Sequence, residues 1–283
     1  MPNYNQFSFI NNLLPFIQQY RDSILVIKYG GSVMHNSTLQ KKVIDDISFL
    51  YLLGIKIVLV HGGGPFINDW FSKLNIVPRF VNGIRITDSS TIEIVEMVLS
   101  ANVNKKLVSL FNTNHIPAIG LSGKDANLVV SSSLYDSIDN FVGKVDKVNS
   151  NILNVLLENN YIPIISSVSF GKNGQTYNIN ADTVASSIAQ SLCAKKLVLL
   201  TDSLGIMLDI NDKSTLLESL TINDIYKLKD DFIISNGMIP KVDCCIEALL
   251  SGIESTHIID GKIEHAILYE LLTTTRIGSM ITL

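Results

Sequence analysis

The 283-residue chain is poor in cysteine and has no long apolar run. Its cysteines are Cys193, Cys244 and Cys245, and none has the spacing of metal ligands. We therefore expect reduced thiols in a reducing compartment. No apolar run reaches the roughly 18 residues that a membrane-spanning helix needs. Residues 1–22 have no positively charged start and no continuous apolar core, so we expect no secretory signal, and they lack the arginine-rich character of a transit peptide.

An excess of charge of one sign is also missing. The chain has 22 basic and 26 acidic residues and a net charge of −4, which argues against nucleic acid as the main partner. Neither Gly-x-Gly-x-x-Gly nor Gly-x-x-x-x-Gly-Lys-Ser/Thr occurs, which counts against a dinucleotide-dependent dehydrogenase and a P-loop enzyme. No Ser-His-Asp set or metal-ligand cluster is evident, because the histidines share no motif: His35, His61, His115, His257 and His265.

Apolar β-branched runs alternate with amphipathic segments from residue 24 onward. This alternation is typical of a parallel sheet that is covered on both faces. The sequence therefore predicts an α/β fold with an open, mainly parallel central sheet sandwiched by helices, and an extra N-terminal helix. The predicted strands lie at residues 24–29, 55–60, 162–168, 196–200 and 257–259. The predicted helices lie near residues 38–53, 66–75, 89–113, 151–159, 181–193, 221–230, 240–251 and 265–273.

Two segments interrupt this alternation. Residues 123–146 are less regular and predict hairpins at an edge, with an exposed loop at 135–140. A soft division of the chain falls near residues 168–175, where Gly171, Lys172, Asn173 and Gly174 form a turn cluster. The length of 283 residues fits either one large domain or two lobes.

Two glycine turns follow apolar strands and are the strongest functional signal. Lys28-Tyr29-Gly30-Gly31 ends the first strand, and His61-Gly62-Gly63-Gly64-Pro65 ends the second. Such turns present converging backbone N–H groups, and the helix that follows adds partial positive charge, so they bind anions. Taken alone, Lys28 could be a solvated lysine at a strand end, and the three glycines of the second turn could serve only to permit a tight turn. Two such turns on neighbouring strands indicate that a phosphate is transferred from one bound ligand to another.

Other polar groups fit the same chemistry. The Arg85 guanidinium suits a carboxylate, although a surface ion pair is the alternative. Asp182 could orient two lysines, or it or Asn180 could cap a helix. Lys241 lies in the first turn of a predicted helix, where a cation is unfavourable unless an anion binds there. The polar loop Thr201-Asp202-Ser203-Leu204-Gly205 suits a nucleotide's sugar or base. Glycines, two lysines and one aspartate fit phosphoryl transfer.

Together these residues resemble the amino acid kinase family, and within it the N-acetyl-L-glutamate kinases of cyanobacteria and plastids. The resemblance covers nearly the whole chain. Its motifs are Lys28-Tyr29-Gly30-Gly31, Val60-His61-Gly62-Gly63-Gly64-Pro65, Asn82-Gly83-Ile84-Arg85, Gly120-Leu121-Ser122-Gly123-Lys124-Asp125, Asn178-Ile179-Asn180-Ala181-Asp182, Leu200-Thr201-Asp202 and Gly237-Met238-Ile239-Pro240-Lys241-Val242.

The resemblance implies ATP-dependent phosphorylation of the γ-carboxylate of N-acetylglutamate, in arginine synthesis. It implies that Lys28 and Lys241 stabilise the transferring phosphoryl group and that Asp182 organises both lysines. The implied acceptor-binding residues are Gly63, Gly64, Arg85 and Asn178. The implied phosphoryl- and nucleotide-binding residues are Gly30, Gly31, Thr201, Asp202, Gly205, Gly237 and Met238. Magnesium is implied on the ATP phosphates, with no ligand from the protein.

The resemblance also implies an architecture and a regulation. Residues 1–20 would be an oligomerisation or regulatory helix, 21–175 an acceptor-binding lobe, and 176–283 an ATP-binding lobe that ends in an arginine-site segment. The arginine effector would meet His265, Glu270 and Gly278, although Arg276 stands where the family usually has glycine. A dimer or hexamer, a PII-type signalling partner and the plastid stroma (or the cytoplasm, if the chain is not plastid-encoded) are the remaining expectations.

Rival functions remain within the same fold. Carbamate, glutamate, aspartate or UMP could be the acceptor, and Arg85 with Asn178 favours an acylated amino acid over these. A non-catalytic arginine-sensing subunit would be expected to lack Lys28, Asp182 or Lys241, and all three are present.

Overall fold

The computed structural model describes residues 5–81, 84–135 and 139–283, with the side chains of residues 5–10 and 236 left out. Asn82 and Gly83 of the predicted Asn-Gly-x-Arg motif lie outside the described residues. Residues 136–138 of the predicted exposed loop lie outside them as well.

A central sheet of eight strands organises the described part of the chain. In spatial order its strands are β12 (Ser219–Thr221), β14 (Ser279–Thr282), β13 (Ser255–Asp260), β11 (Lys196–Thr201), β1 (Ile24–Tyr29), β2 (Lys56–His61), β8 (Ile162–Ser166) and β5 (Ala118–Ser122). The six strands from β13 to β5 are parallel, whereas β14 pairs antiparallel with β13. The predicted open, mainly parallel sheet is confirmed.

Helices cover both faces of this sheet. They are α1 (Asn5–Tyr20), α2 (Ser37–Leu52), α3 (Gly64–Lys73), α4 (Ile92–Glu96), α5 (Asn104–Thr113), α6 (Asn151–Glu158), α7 (Ala181–Ser191), α8 (Ile222–Asp230), α9 (Ile239–Leu250) and α10 (Ala266–Leu272). A π-helical segment, Met97–Val103, joins α4 to α5. The Thr221 side chain and Asp224 form a reciprocal capping box at the start of α8, which satisfies backbone N–H groups there.

Two apolar cores result, one on each face of the sheet. Leu25 and Ile27 point into the core that contains residues of α2, α3, α5 and α10, and Val26 points into the core that contains residues of α7, α8 and α9. Because side chains alternate along a strand, a sheet buried on both faces needs apolar residues at every position. This requirement explains the continuous apolar runs of the sequence.

A smaller sheet lies beside the central one. Its order is β10 (Thr176–Asn178), β9 (Val168–Phe170), β6 (Val129–Ser133) and β7 (Gly143–Val148), and β3 (Phe80–Val81) pairs separately with β4 (Ile84–Arg85). The β6–β7 pair confirms the predicted hairpin. The turn cluster closes the β9–β10 hairpin, where Gly171 N–H donates to the Gln175 carbonyl. The division into two lobes stays a prediction.

The N-terminal helix packs on its own chain. Leu13 and Phe16 of α1 contact the core beside α10, and Tyr20 is buried. Leu14 remains 46% exposed. Within the described residues, no helix is both long enough and apolar enough to span a bilayer.

Candidate active site

The two glycine turns meet at the carboxyl edge of the central sheet. β1 and β2 pair in parallel with Tyr29 opposite His61, and Gly62 N–H donates to the Tyr29 carbonyl. A cavity of about 260 Å³ opens where the strands end. It is the place where open parallel sheets bind ligands. Predicted site residues that line it are Lys28, Gly30, Gly31, Gly63, Gly64, Arg85, Asn178 and Asp182.

Asp182 bridges two lysines at this cavity. Its Oδ1 lies 3.0 Å from Lys28 Nζ, and its Oδ2 accepts a 2.7 Å hydrogen bond from Lys241 Nζ. Lys28 ends β1, Asp182 opens α7 and Lys241 lies in the first turn of α9. The structure thus brings together three predicted residues that are 59 to 213 positions apart in sequence. Asn180 caps α7 by accepting from Asp182 N–H, so the Asp182 carboxylate is free for the lysines.

Burial and charge set the protonation of this bridge. Burial would raise the pKa of Asp182, but the two ammonium groups outweigh it and lower that pKa to about 2. Burial lowers the pKa of Lys28, and the Asp182 carboxylate opposes that change. Asp182 is therefore an anion at neutral pH and cannot act as a base there.

The first glycine turn is shaped by close contacts. A Cβ at Gly30 would overlap Lys28 Nζ, and one at Gly31 would lie 2.8 Å from Asp202 Oδ1. Gly31 has a φ of 80°, which side chains rarely adopt. Asp202 follows β11 and accepts from both Ser32 N–H and Ser32 Oγ, at 2.7 and 2.6 Å. Asp202 therefore ties the turn after β11 to the turn after β1.

Arg85 is buried and only partly satisfied. Its Nη2 donates to the Gly64 carbonyl at 3.2 Å and to Asn68 Oδ1 at 2.6 Å. The guanidinium carbon lies 5.3 Å from the Phe71 ring centre and 4.7 Å from that of Phe80. Within the part of the chain that the structure describes, buried Nη1 has no hydrogen-bond partner. A free, desolvated guanidinium donor at a cavity wall suits a carboxylate ligand.

Asn178 reaches the same cavity from β10. Its Nδ2 donates to Thr87 Oγ1 at 2.9 Å, and its backbone N–H donates to the Phe141 carbonyl. The side chain is therefore fixed by its neighbours, as a polar specificity group would need to be.

A second cavity, of about 510 Å³, lies beyond the end of β11. Gly205 and Met238 line it together with Ser203, Phe232 and Ile234. This volume is within the range of small-molecule sites. The other predicted nucleotide residues lie elsewhere: Thr201 is buried at the end of β11, Asp202 contacts the first glycine turn, and Gly237 is exposed just before Met238.

The predicted effector residues do not all meet. Glu270 is fully buried, and its Oε2 accepts from the N–H groups of Ile277 and Gly278 at 3.0 and 3.2 Å. Its Oε1 lies 2.8 Å from His257 Nδ1. His265 lies away from Glu270 and instead contacts Asp46, at 2.6 Å.

The histidine that contacts Glu270 belongs to a buried cluster that the sequence analysis did not recognise. Ser255 Oγ lies 3.0 Å from His257 Nε2, so Ser255, His257 and Glu270 have the connectivity of a hydrolase triad. Lys196 Nζ occupies the serine side of the triad, and Ser255 is 3% exposed. No substrate can reach such a serine. Ser255 and His257 lie two residues apart, and Glu270 lies 13 residues after His257. This spacing matches no local catalytic motif, and Lys196 comes from a different strand, so no local pattern identifies the cluster.

Two further polar residues escaped the sequence analysis. Asn68, which accepts a hydrogen bond from Arg85, lies four residues after Gly64 on α3 and is exposed, so no local pattern distinguishes it from other polar surface residues. His61 stands inside the second glycine motif and is fully buried.

Comparisons with known proteins identify the family of this chain. Residues 23–260 match the model of the amino acid kinase family. The chain is 55% identical to the acetylglutamate kinase of Gracilaria tenuistipitata var. liui, with 99% of each chain covered. It is 49% identical to the acetylglutamate kinase of Nostoc punctiforme, over 96% of this chain and 91% of the relative.

Solved structures agree as well. The N-acetylglutamate synthase of Neisseria gonorrhoeae, complexed with coenzyme A and N-acetyl-glutamate, superposes with a TM-score of 0.86 at 25% identity. That alignment covers 98% of this chain but 63% of the synthase. The carbamate kinase of Giardia lamblia bound to AMP-PNP has the same fold, with a TM-score of 0.64 at 17% identity over 92% of this chain and 98% of the kinase.

Proposed function

The chain belongs to the amino acid kinase family, and from that premise we propose that it transfers the γ-phosphoryl group of ATP to the γ-carboxylate of N-acetyl-L-glutamate. The product would be N-acetylglutamyl 5-phosphate, an intermediate of arginine synthesis. The observation that carries this proposal is that the Lys28–Asp182–Lys241 bridge lies at the same cavity as Arg85, whose Nη1 has no hydrogen-bond partner among the described residues. It joins a phosphoryl-stabilising pair to a carboxylate-binding group.

The absence of a base at the bridge fits a carboxylate acceptor. A glutamate side chain has a pKa of about 4.3 and is ionised at neutral pH. Its oxygen can attack the γ-phosphorus directly, forming one O–P bond while the bridging P–O bond to ADP breaks. No proton has to be removed, and Asp182, with a pKa of about 2, could not accept one.

The two lysines would compensate charge during transfer. Negative charge spreads over the oxygens of the transferring group, and positioned cations stabilise it. Asp182 holds Lys28 and Lys241 on one carboxylate, so both ammonium groups face the same small volume. The N–H groups of Gly31, Gly63 and Gly64, with Gly30 leaving room beside Lys28, would bind the phosphoryl oxygens and the acceptor.

Acceptor choice would rest on Arg85 and Asn178. Arg85 Nη1 would bind a carboxylate of N-acetylglutamate, and Asn178 would bind the acetamido group. The buried Phe71 ring beside the guanidinium lowers the local dielectric constant, which would strengthen such a bond. Carbamate has a single carboxylate, which would itself be the phosphoryl acceptor, and UMP has none, so neither offers Arg85 a second carboxylate to bind.

ATP would lie across the second cavity, with its phosphates toward the glycine turns. Thr201, Asp202, Gly205, Gly237 and Met238 are the proposed nucleotide residues. Within the described residues no cluster of three metal-binding side chains occurs, and both Asp182 oxygens are already paired with lysines. Magnesium would therefore be held by the ATP phosphates, where it neutralises charge.

We also propose inhibition by arginine. The Arg276 Nη1 already donates to the Glu270 carbonyl at 2.9 Å and lies 3.7 Å from Glu270 Oε1, so this corner accepts a guanidinium. The Gly278 N–H donates to the Glu270 carboxylate as well. His265 lies beside Asp46 and would contribute to an arginine site from that position. Arg276→Gly should increase sensitivity to free arginine and Glu270→Gln should abolish it. Equal inhibition of all three forms would contradict this proposal.

Assembly and location are further proposals. The part-exposed Leu14 on α1 supports a homo-oligomer, a dimer or hexamer, built through that helix. Light scattering of wild type and of the Leu14→Glu variant, which leaves buried Tyr20 in place, tests this; an unchanged mass would refute it. Similarity to the Gracilaria and Nostoc relatives supports a plastid stromal enzyme and a PII-type signalling partner, which a pull-down with PII protein would test.

The acceptor is tested by a coupled assay of ADP release. N-acetylglutamate, glutamate, aspartate, carbamate and UMP are compared at equal concentrations, each with and without arginine. We expect turnover with N-acetylglutamate at least tenfold above the others, because Arg85 and Asn178 both bind it. Turnover with another acceptor but not with N-acetylglutamate would refute the proposed function.

A further inference from the structure

A buried histidine adjoins the second glycine turn without touching the cavity. His61 is the last residue of β2 and is fully buried. Its Nδ1 lies 2.9 Å from the carbonyl oxygen of Gly62, the next residue. Its Nε2 lies 3.0 Å from Asn104 Nδ2. His61 is therefore the link between the turn and the helix layer behind it.

The orientation of the Asn104 amide is fixed by two backbone carbonyls. Asn104 Nδ2 donates to the Ile164 carbonyl at 2.9 Å and lies 3.2 Å from that of Leu121. Turning the amide over would place its oxygen against these two carbonyl oxygens. The NH₂ group therefore also faces His61 Nε2 and donates one hydrogen bond to that nitrogen.

This amide dictates the tautomer of His61. A nitrogen that accepts from Asn104 carries no proton, so the proton of the neutral imidazole is on Nδ1. Nδ1–H then donates to the Gly62 carbonyl. Burial lowers the pKa of His61 to about 4, so the ring is neutral at physiological pH and keeps this arrangement.

The Gly62 carbonyl determines where the Gly63 N–H points. In a trans peptide the C=O and the following N–H point in opposite directions, and the described residues contain no cis peptide. With the carbonyl held by His61 on the buried side, the Gly63 N–H is directed away from the ring, toward the cavity that Gly63 lines. Glycine residues flank this peptide, so little else resists its rotation.

The π-helical segment supports the same turn. A Cβ at Gly63 would lie 2.5 Å from Leu99 Cδ2 and 3.4 Å from Val103 Cγ2, both in that segment. Asn104 follows it directly. An irregular helical turn at this point places an apolar side chain against Gly63 and the amide against His61, and π-helical turns are frequent at functional sites.

We propose that His61, with its tautomer set by Asn104, is a positioning residue that fixes the Gly62–Gly63 peptide and aims the Gly63 N–H at the transferring phosphoryl group. This role rests on the proposed kinase function. It differs from a packing role because it depends on one nitrogen of the ring. A substitution that keeps a hydrogen-bond donor in the place of Nδ1 should therefore keep the orientation of the Gly62–Gly63 peptide. A substitution that keeps only the contact with Asn104 should lose it.

Two variants separate the nitrogens. In His61→Asn the amide occupies the place of Nδ1 and can donate to the Gly62 carbonyl, whereas in His61→Gln the amide occupies the place of Nε2. We expect His61→Asn to keep kcat within about fivefold of wild type, and His61→Gln to lose roughly 10²-fold in kcat, the cost of one misplaced transition-state donor. KM for the acceptor should change by a smaller factor than kcat in both, because the Gly63 N–H adjoins the acceptor as well as the transferring group. His115→Gln, at an exposed position, is the matched control.

Unfolding temperatures are measured alongside, because both variants remove a buried ring. Equal kcat in the two variants, or losses of kcat that follow the losses of thermal stability, would overturn the proposal. A further variant, Asn104→Leu, keeps the imidazole ring but removes the amide that fixes its tautomer. This substitution should lower kcat when it is made in the wild type. It should have much less effect when it is made in His61→Asn, because an amide donor has no tautomer to fix. Additive losses would overturn the proposal. The variants are compared with whichever acceptor wild type phosphorylates, so failure with N-acetylglutamate refutes the proposed function alone.

Discussion

Neutralising Asp182 should separate its electrostatic role from its shape. Asp182→Asn keeps the volume but removes the charge that lies 3.0 Å from Lys28 and 2.7 Å from Lys241. At an effective dielectric constant of about 20, each attraction is worth about 5–6 kcal/mol before the cost of desolvation. Leaving buried charges without their partner typically costs about 3–5 kcal/mol of unfolding free energy. We expect a loss of that size in urea denaturation at pH 7.

The same variant should change the dependence of stability on pH. The pKa of Asp182 is about 2 in the folded protein against an ordinary 3.8, so it contributes about 2 kcal/mol above pH 4. This contribution is lost as the pH falls from about 4 to 2. The stability difference between wild type and Asp182→Asn should shrink by that amount over this window. Exposed Asp230→Asn, on α8, is the matched control.

Activity gives an independent measurement of the same bridge. Burial lowers the pKa of Lys28 and the Asp182 carboxylate opposes this, so removing the carboxylate should lower that pKa further. The kcat of Asp182→Asn should then fall with rising pH at a lower pH than the kcat of wild type. A variant with wild-type stability at pH 7 and an unshifted pH profile of kcat would refute the reasoning.

Other substitutions test the remaining groups. Lys28→Ala should lower kcat by roughly 10³-fold with KM for N-acetylglutamate nearly unchanged, because its interaction is made in the transition state; a raised KM with intact kcat would contradict this. Arg85→Ala should raise KM for the acceptor about 10- to 10²-fold, as for a lost charged hydrogen bond, with a smaller effect on kcat; an unchanged KM would remove Arg85 from the acceptor site. Gly31→Ala, at a φ of 80° and against Asp202, should lower kcat and thermal stability together; a variant with wild-type values of both would show that the turn tolerates a side chain.

Most of the fold follows from local patterns in the sequence. The continuous apolar run of β1 predicts a strand buried on both faces, and the Thr221–Asp224 capping box marks the start of α8. The short strands β12, at the edge of the sheet, and β14, beside it, were not predicted, because three or four residues carry too little periodicity to distinguish a strand from a loop. Their pairing depends on the rest of the sheet.

The site was predictable to the extent that its residues lie in glycine-rich motifs. Lys28 and Gly63 are recognisable because the chemistry of an anion site requires them at strand ends. His257, by contrast, could not be linked to Glu270 from sequence, since their contact depends on how α10 packs against β13. The same holds for His61 and Asn104, which are 43 residues apart.

Formation of an acyl phosphate tests the central claim most directly. The protein is incubated with ATP, magnesium and N-acetylglutamate in the presence of hydroxylamine, which traps acyl phosphates as hydroxamates. The account predicts N-acetylglutamyl hydroxamate in an amount equal to the ADP released, and almost none with Lys28→Ala. ADP release without hydroxamate, or hydroxamate from glutamate or aspartate but not from N-acetylglutamate, would contradict it.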